Sequence, residues 1–445
     1  VPLAAEPAVV GVLVTNENDL THHFGNMMLP DKDNPVHQAR FEAALRAFCE
    51  RTGLPRDRAW RTWEHGPSKL FLADVEHGFN RAMIDHLRGI GLRAPIATTN
   101  TWGNMTLAGL PSLTDGDVID AHSYGGEHAL SANPHHEPNF IAWLGAAQVH
   151  GKPLTITEWN VPYPAVDRFT APLYVASIGC LQGWDAPMVY CYAQGRFADR
   201  RHVHQWSTYY DPAITAVMPA AAIAFRQQHV SEAKRTIVLS PGDALFAQRI
   251  DPTTSALLRI AAETSRLTIA MPQTPHLDWL APSSVEDTSH DAVDVGRTFV
   301  VSDTGQLRRD WATGVQTIDT PRTQAAQGWI GDARIELSAV TLAIDTPQAV
   351  VAVTSLDGEP IATSRRLLVT AVARAVAEAD GRMPFYSEPV VGRLSLRSTV
   401  QGLVMRRITG AGESTPASPL VFGEDGYIIE LSATDSTHWR LIEAP

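Results

Sequence analysis

The sequence predicts an α/β fold joined to a mostly β domain, on three observations. Short apolar runs that end in polar residues recur through the first half of the chain, and segments with helical periodicity separate them. From about Thr236 the pattern changes to short runs with two-residue alternation, such as Glu336 to Ile344, and to turn signals such as Asp357-Gly358 and Asp425-Gly426. Alternating strands and helices argue for a parallel sheet with helical crossovers, closed as a barrel or open and doubly wound. Both architectures gather ligands at the carboxyl ends of their strands.

Val9 to Thr15, VVGVLVT, is a continuous apolar run, the pattern of a strand buried on both faces, and it ends at Asn16, Glu17, Asn18 and Asp19. The polar stretch from His22 to His37, with Gly25, Pro30 and Pro35, is expected to wall a cleft. Phe41, Ala44, Leu45, Phe48 and Cys49 recur at helical spacing with Gly53 just beyond them. A second helix carries Leu72, Val75, Phe79, Met83 and Leu87 and stops near Gly89 and Gly91. It feeds a short strand over Pro95 to Thr99, with Asn100 and Trp102 at its exit.

Val118 to His122 is the next strand, leaving Ser123, Tyr124, Gly125 and Gly126 at its end. A helix over Pro138 to Val149 leads to KPLTITEWN, Lys152 to Asn160, where Leu154 and Ile156 read as buried and Glu158 is delivered to the strand's end. A helix from Thr170 to about Leu181 has Thr170 as its expected N-cap. The strand Met188 to Tyr192 and a helix from Ala220 to Gln228, with Pro219 at its first position, complete the series. The boundary falls near Val230 to Lys234, giving an α/β domain over 1–232 and a β-sandwich over 233–445. Arg366 to Ala377 has the Ala and Leu content of a helix, but its β surroundings assign it to a strand.

Composition excludes several classes of function. The 445 residues are 44% hydrophobic and 19% charged, which rules out disorder, and no apolar run approaches the roughly 20 residues of a membrane span. A net charge of 36 minus 48, or −12, disfavours a nucleic-acid or anionic-membrane partner and points to a neutral or cationic ligand. Cys49, Cys180 and Cys191 lack framework or metal-ligand spacing and are expected to be buried thiols. The opening VPLAAEPAVV has neither the basic region nor the apolar segment of a targeting signal, so any such signal is expected to lie upstream or to have been removed.

Glu17 and Glu158 stand at the carboxyl ends of two predicted parallel strands, 158 minus 17, or 141, residues apart. Retaining glycoside hydrolysis needs two carboxyl groups about 5 Å apart, one attacking the anomeric carbon and one protonating the leaving oxygen and later activating water. On AVVGVLVTNEND, Ala8 to Asp19, and PLTITEWN, Pro153 to Asn160, the chain resembles clan A of the retaining glycoside hydrolases, the superfamily of cellulases, β-galactosidases and agarases. The resemblance covers Pro7 to about His229. It implies a (β/α)8 TIM-type barrel, of which the fourth to eighth βα units are recognisable, followed by an accessory sandwich. It also implies that Glu17 is the acid/base, Glu158 the nucleophile, and Asn16 the amide that binds the 2-hydroxyl. His122 and Tyr124 resemble the residues that contact nucleophile and substrate.

Several expectations follow. The substrate is a polysaccharide or oligosaccharide with β-glycosidic bonds, no cofactor is needed, and the location is secreted or periplasmic by family resemblance. The clan's first three strands have no counterpart before Val1, so a preceding segment or chain is expected to supply them, since five strands do not close a barrel. Trp102 and Trp206 are candidate sugar-stacking platforms, and either Tyr190 or Tyr192, with Gln194, faces the site from the last strand. The pairs His22-His23 and His135-His136 suggest a metal-dependent hydrolase, but adjacent histidines rarely converge on one ion and no tetrahedral set is completed, so no metal site is assigned. Asp115, Asp117 and Asp120 crowd the start of the sixth barrel strand and are expected to be solvated or capping. The competing expectation is a non-catalytic carbohydrate-binding or structural protein with a degenerate barrel.

Overall fold

A computed structural model describes residues 3–21, 29–102, 107–126, 130–195, 203–285, 296–378, 381–435 and 437–444. Strand β1, Val12–Leu13, is followed by helices α1, Pro35–Thr52, α2, Arg56–Ala59, and α3, Pro67–Gly89. Asn34 caps α1 by accepting from the backbone N–H of His37, and Gly53 ends it in the left-handed region at φ 71°. Phe41, Leu45 and Phe48 form its buried stripe, with Phe41 and Phe48 meeting Phe71 of α3 at ring separations of 5.3 and 5.5 Å.

Strand β2, Ile96–Ala97, pairs in parallel with β1, and β3, Asn100–Thr101, continues the same run. Helix α4, Leu110–Leu113, leads to β4, Ile119–Tyr124, which lies parallel to β3. Helix α5, Leu144–Ala147, leads to β5, Leu154–Asn160, parallel to β4. Beyond β5, single parallel bridges join Thr155 to Asp185 and Trp159 to Val189. Five parallel segments therefore lie side by side in sequence order with helical connections. Among the described residues they do not close into a barrel.

Local structure departs from expectation at several points. Val9 to Thr15, expected as a strand buried on both faces, is a strand only at Val12–Leu13, and none of it is fully buried because this strand is paired on one side only among the described residues. Only Leu144–Ala147 of the expected helix over 138–149 is α-helical, because the Asn139 side chain accepts from the N–H groups of Ile141 and Ala142 and holds the preceding chain in turns. The segment 188–192 makes one isolated bridge, at Val189, in place of a regular strand, since the Cys191 N–H turns away to Trp206 O. Helix α6, Ala171–Gln182, has no side-chain cap, as the Thr170 hydroxyl donates back to Asp167 O. Helix α7, Pro212–Thr215, and helix α8, Met218–Arg226, follow, the latter with Pro219 in its first turn.

The β-rich texture also begins later than Thr236. Strand β6, Thr236–Leu239, and strand β7, Arg266–Ile269, form a parallel pair connected through α9, Ala244–Ala247, and α10, Ala256–Thr264. Helix α10 is built from Ala, Leu and Glu and capped by Ser255, and Leu267 and Ile269 join the core of the α/β part. Antiparallel structure starts at Phe299. Nine strands then form one sheet and five a second, with every pair antiparallel. Arg366–Ala373 is a strand, as expected.

The strand Ala349–Ser355 is buried along its whole length, which explains the unbroken apolar run Ala349 to Val353 within it. Val351 and Val353 belong to a core between the two sheets, while Val350 and Ala352 pack into the α/β core. Helix α6 lies in that α/β core and is buried at every position, and Ser177 accepts a bond from Gln316 of the nine-stranded sheet. No helix among the described residues is long and apolar enough to cross a membrane.

Candidate active site

The parallel strands deliver their polar residues to one end. Val14 and Thr15 still donate backbone bonds to Ala97 O and Thr98 O, and then the chain leaves the sheet. Glu17 sits in the left-handed region at φ 49°, a costly conformation for a non-glycine residue, stabilised by its N–H donating to Asn100 Oδ1 at 2.9 Å. Asn18 N donates to Thr99 Oγ1 at 3.0 Å. This strained turn aims the Glu17 carboxyl across the strand ends.

Period-two geometry places Asp120, His122 and Tyr124 of β4 on one face. Register opposes His122 to Glu158 of β5, after an irregularity between Asp120 and His122. The His122 side chain is fully buried; Nδ1 lies 2.6 Å from Glu17 Oε1 and 3.5 Å from Glu158 Oε2, and Nε2 lies 3.0 Å from Thr157 Oγ1. Both ring nitrogens thus lie against protein groups, and His122 stands between the carboxyls. One oxygen of Glu17 and one of Glu158 lie within 4.8 Å of each other. The Tyr124 hydroxyl donates to Glu158 Oε2.

Burial holds His122 below its ordinary pKa, although Glu158 and Asp120 act in the opposite direction, and this favours the neutral ring. Burial, then the bond to Glu158, raises the Tyr124 phenol, which therefore stays a donor. Burial also raises Asp120, and bonds from Thr157 and Asn100 offset part of that effect.

A cleft of about 400 Å³ opens beside these groups, lined by Trp102, His122, Tyr124, Gly125, Asn139 and Phe140 among others. Trp206 stands edge-on to Tyr124 at 4.7 Å, and Tyr190 lies 6.4 Å from the same ring. The ambiguity between the two tyrosines resolves by geometry. Tyr190 faces Tyr124 and its hydroxyl accepts from Gln194, whereas Tyr192 is 62% exposed and packs on Tyr209. Asn16 is exposed at the rim of the strand end, next to Glu17.

Not every prominent polar residue joins the site. His135 and His136 stand apart from it, in a loop beside Trp311, and His22 and His23 lie outside the described residues. Cys180 is buried, while Cys49 and Cys191 are only partly so, and all three are free thiols. Asp115 pairs with His77, and Asp117 accepts from Arg88 and from Ile96 N. Asp120, expected to be solvated or capping, is instead fully buried under the site. The signal that reveals it is the alternation in IDAHSY, which puts it on the same face as His122 and Tyr124.

The ligand atoms of Glu17, His122 and Glu158 have a spread that also suits a cation. The 2.6 Å contact between Nδ1 and Oε1, however, is that of a short hydrogen bond and requires a proton between the two atoms. A cation would have to displace that proton, so the donor set fits acid–base chemistry better. No protein-family model matches this chain, and no curated protein matches it either.

Proposed function

We propose that this chain carries the catalytic carboxyls of a retaining glycoside hydrolase acting on β-glycosidic bonds of a polysaccharide or oligosaccharide. The observation that carries the reading is the carboxyl separation. Oxygens of Glu17 and Glu158 within 4.8 Å fit double displacement, whereas an inverting pair needs about 6.5–9.5 Å to admit water. In this reading Glu158, held by Tyr124, attacks the anomeric carbon while Glu17 gives its proton to the leaving oxygen. Water then attacks the glycosyl-enzyme, and Glu17 takes the proton from it. Trp102, Trp206 and Tyr190 offer aromatic faces for sugar rings, and Asn16 offers an amide at the rim. Neither step requires a cofactor, and a secreted or periplasmic location accords with such a substrate.

A second reading, a non-catalytic carbohydrate-binding or structural protein, is favoured by the open side of the sheet. Among the described residues β1 is paired only with β2, and an apolar cavity of about 410 Å³ lies beside it, lined by Leu20, Phe41, Phe71, Leu72, Val75 and Phe79 among others. A preceding segment or partner chain that added strands there would complete both the barrel and the cleft wall. The test is a panel of polysaccharides assayed with the native protein and with Glu158→Gln. Hydrolysis by the native protein and its loss in Glu158→Gln is the expected result. Equal activity in both would refute the assignment, and glycan affinity without turnover would favour the second reading.

A further inference from the structure

We propose that Asp120, acting through Thr157, is a positioning residue that selects the tautomer of His122 and thereby keeps the Glu17 carboxyl protonated, an inference that rests on reading Glu17 as the acid/base.

The argument is one of hydrogen-bond direction. The Thr157 hydroxyl has one proton to give, and it lies 2.6 Å from Asp120 Oδ2 and 3.0 Å from His122 Nε2. Asp120 is fully buried and is met by two further donors, Asn100 Nδ2 at 3.1 Å and Thr157 N at 3.2 Å. Two N–H donors already on the carboxyl favour its ionised form, an acceptor only, so the hydroxyl proton goes to Asp120. His122 Nε2 must then be the donor to Thr157 Oγ1. A neutral ring protonated at Nε2 is bare at Nδ1, and Nδ1 is the atom 2.6 Å from Glu17 Oε1. That contact is filled only by a proton carried on Glu17, which makes Glu17 the carboxylic acid that the first step of retaining hydrolysis needs.

Protonating Asp120 would reverse every bond in the chain. Asp120 would donate to Thr157, Thr157 to Nε2, and an Nδ1–H to an ionised Glu17. One proton is shared along the relay, and the N–H donors that stabilise an ionised Asp120 leave it at the Glu17 end. The other groups facing the ring act on this balance. Glu158 lies 3.5 Å from Nδ1, close enough to favour an Nδ1–H, but it already accepts from Tyr124. During turnover the proton leaves Glu17 for the glycosidic oxygen and is returned by the attacking water, while Asp120 keeps its charge. Asn100 bonds both Asp120 and the Glu17 backbone, so the same network holds the carboxyl in place.

The tautomer is read directly by long-range ¹H–¹⁵N spectra of the full chain labelled in histidine, with the His122 signals among the 17 histidines identified by their loss in His122→Asn. At pH 7 the native protein is expected to show Nε2–H and a bare Nδ1. Asp120→Asn, whose amide can donate to Thr157, is expected to move the proton to Nδ1. Thr157→Val removes the relay hydroxyl and is expected to do the same, with Thr157→Ser restoring Nε2–H. An Nδ1–H tautomer in the native protein would overturn the proposal, as would an unchanged Nε2–H tautomer in folded Asp120→Asn or Thr157→Val. The reading needs no turnover, so a lack of hydrolysis would count against the glycosidase reading alone.

Discussion

Glu263→Gln would leave a buried guanidinium without its counter-charge. Arg309, on the strand Leu307–Asp310 of the nine-stranded sheet, has a side chain 2% exposed, and Glu263, in α10, one 3% exposed. Two bonds of 2.6 and 2.7 Å join them. Arg309 Nη1 also donates to Leu130 O at 2.9 Å and Ala132 O at 3.0 Å, carbonyls of the chain that runs from β4 past the cleft. Glutamine keeps the volume and one acceptor oxygen but removes the charge. Breaking a buried ion pair costs about 3–5 kcal/mol, and the surviving neutral acceptors place this case near about 3 kcal/mol. At about 2.1 cal/mol/K of unfolding entropy per residue, 445 residues give about 0.9 kcal/mol/K, so Tm falls by about 3 °C for a chain that melts as one unit. Calorimetry of native and variant protein measures this shift, and hydrogen exchange around residues 130–132 should quicken. A fall of less than about 1 °C with unchanged exchange would refute the view that this pair fastens the sheet to the cleft loop.

Tyr124→Phe should lower kcat about 10- to 100-fold on a cleaved polysaccharide, because a hydrogen bond to a charged group is worth about 1.5–3 kcal/mol; an unchanged kcat would remove Tyr124 from the site. Burial, with Arg322 nearby, lowers His229 from 6.5 to about 4, so the folded state resists protonating a ring that the unfolded chain protonates readily. Stability is therefore fully retained above about pH 6.5 and should fall by about 3 kcal/mol toward pH 4, a slope that His229→Gln should remove in urea titrations. Asn34→Ala should cost about 1 kcal/mol through the lost cap of α1, measured by urea denaturation. Hydrolysis, where found, should persist in EDTA, and its loss with recovery on adding a divalent cation would favour a metal at Glu17, His122 and Glu158.

Much of the site was readable because it is written locally. Polar residues that follow an apolar run mark the carboxyl end of a strand: Tyr124 ends β4, Glu158 lies two residues before the end of β5, and Glu17 lies four residues beyond β1. Helices α1 and α3 are visible through their 3.6-residue periodicity and end signals, and α8 through Pro219 at its start. Helix α5 was overestimated because a side-chain amide, Asn139, competes for the backbone donors at its start. The βαβ unit over 236–269 was hidden by its shortness, four residues in each strand.

The alternation of strand and helix, the later antiparallel texture, and the polar residues near strand ends are legible from the amino-acid order. These follow from side-chain period and turn chemistry, properties of neighbouring residues. Only the tertiary structure decided that Glu17 and Glu158 come within 4.8 Å, that His122 lies between them, and that Asp120 is buried beneath. Those facts depend on the register of β4 against β5 and on the left-handed turn at Glu17, and both are fixed by hydrogen bonds between residues 34 to 105 positions apart.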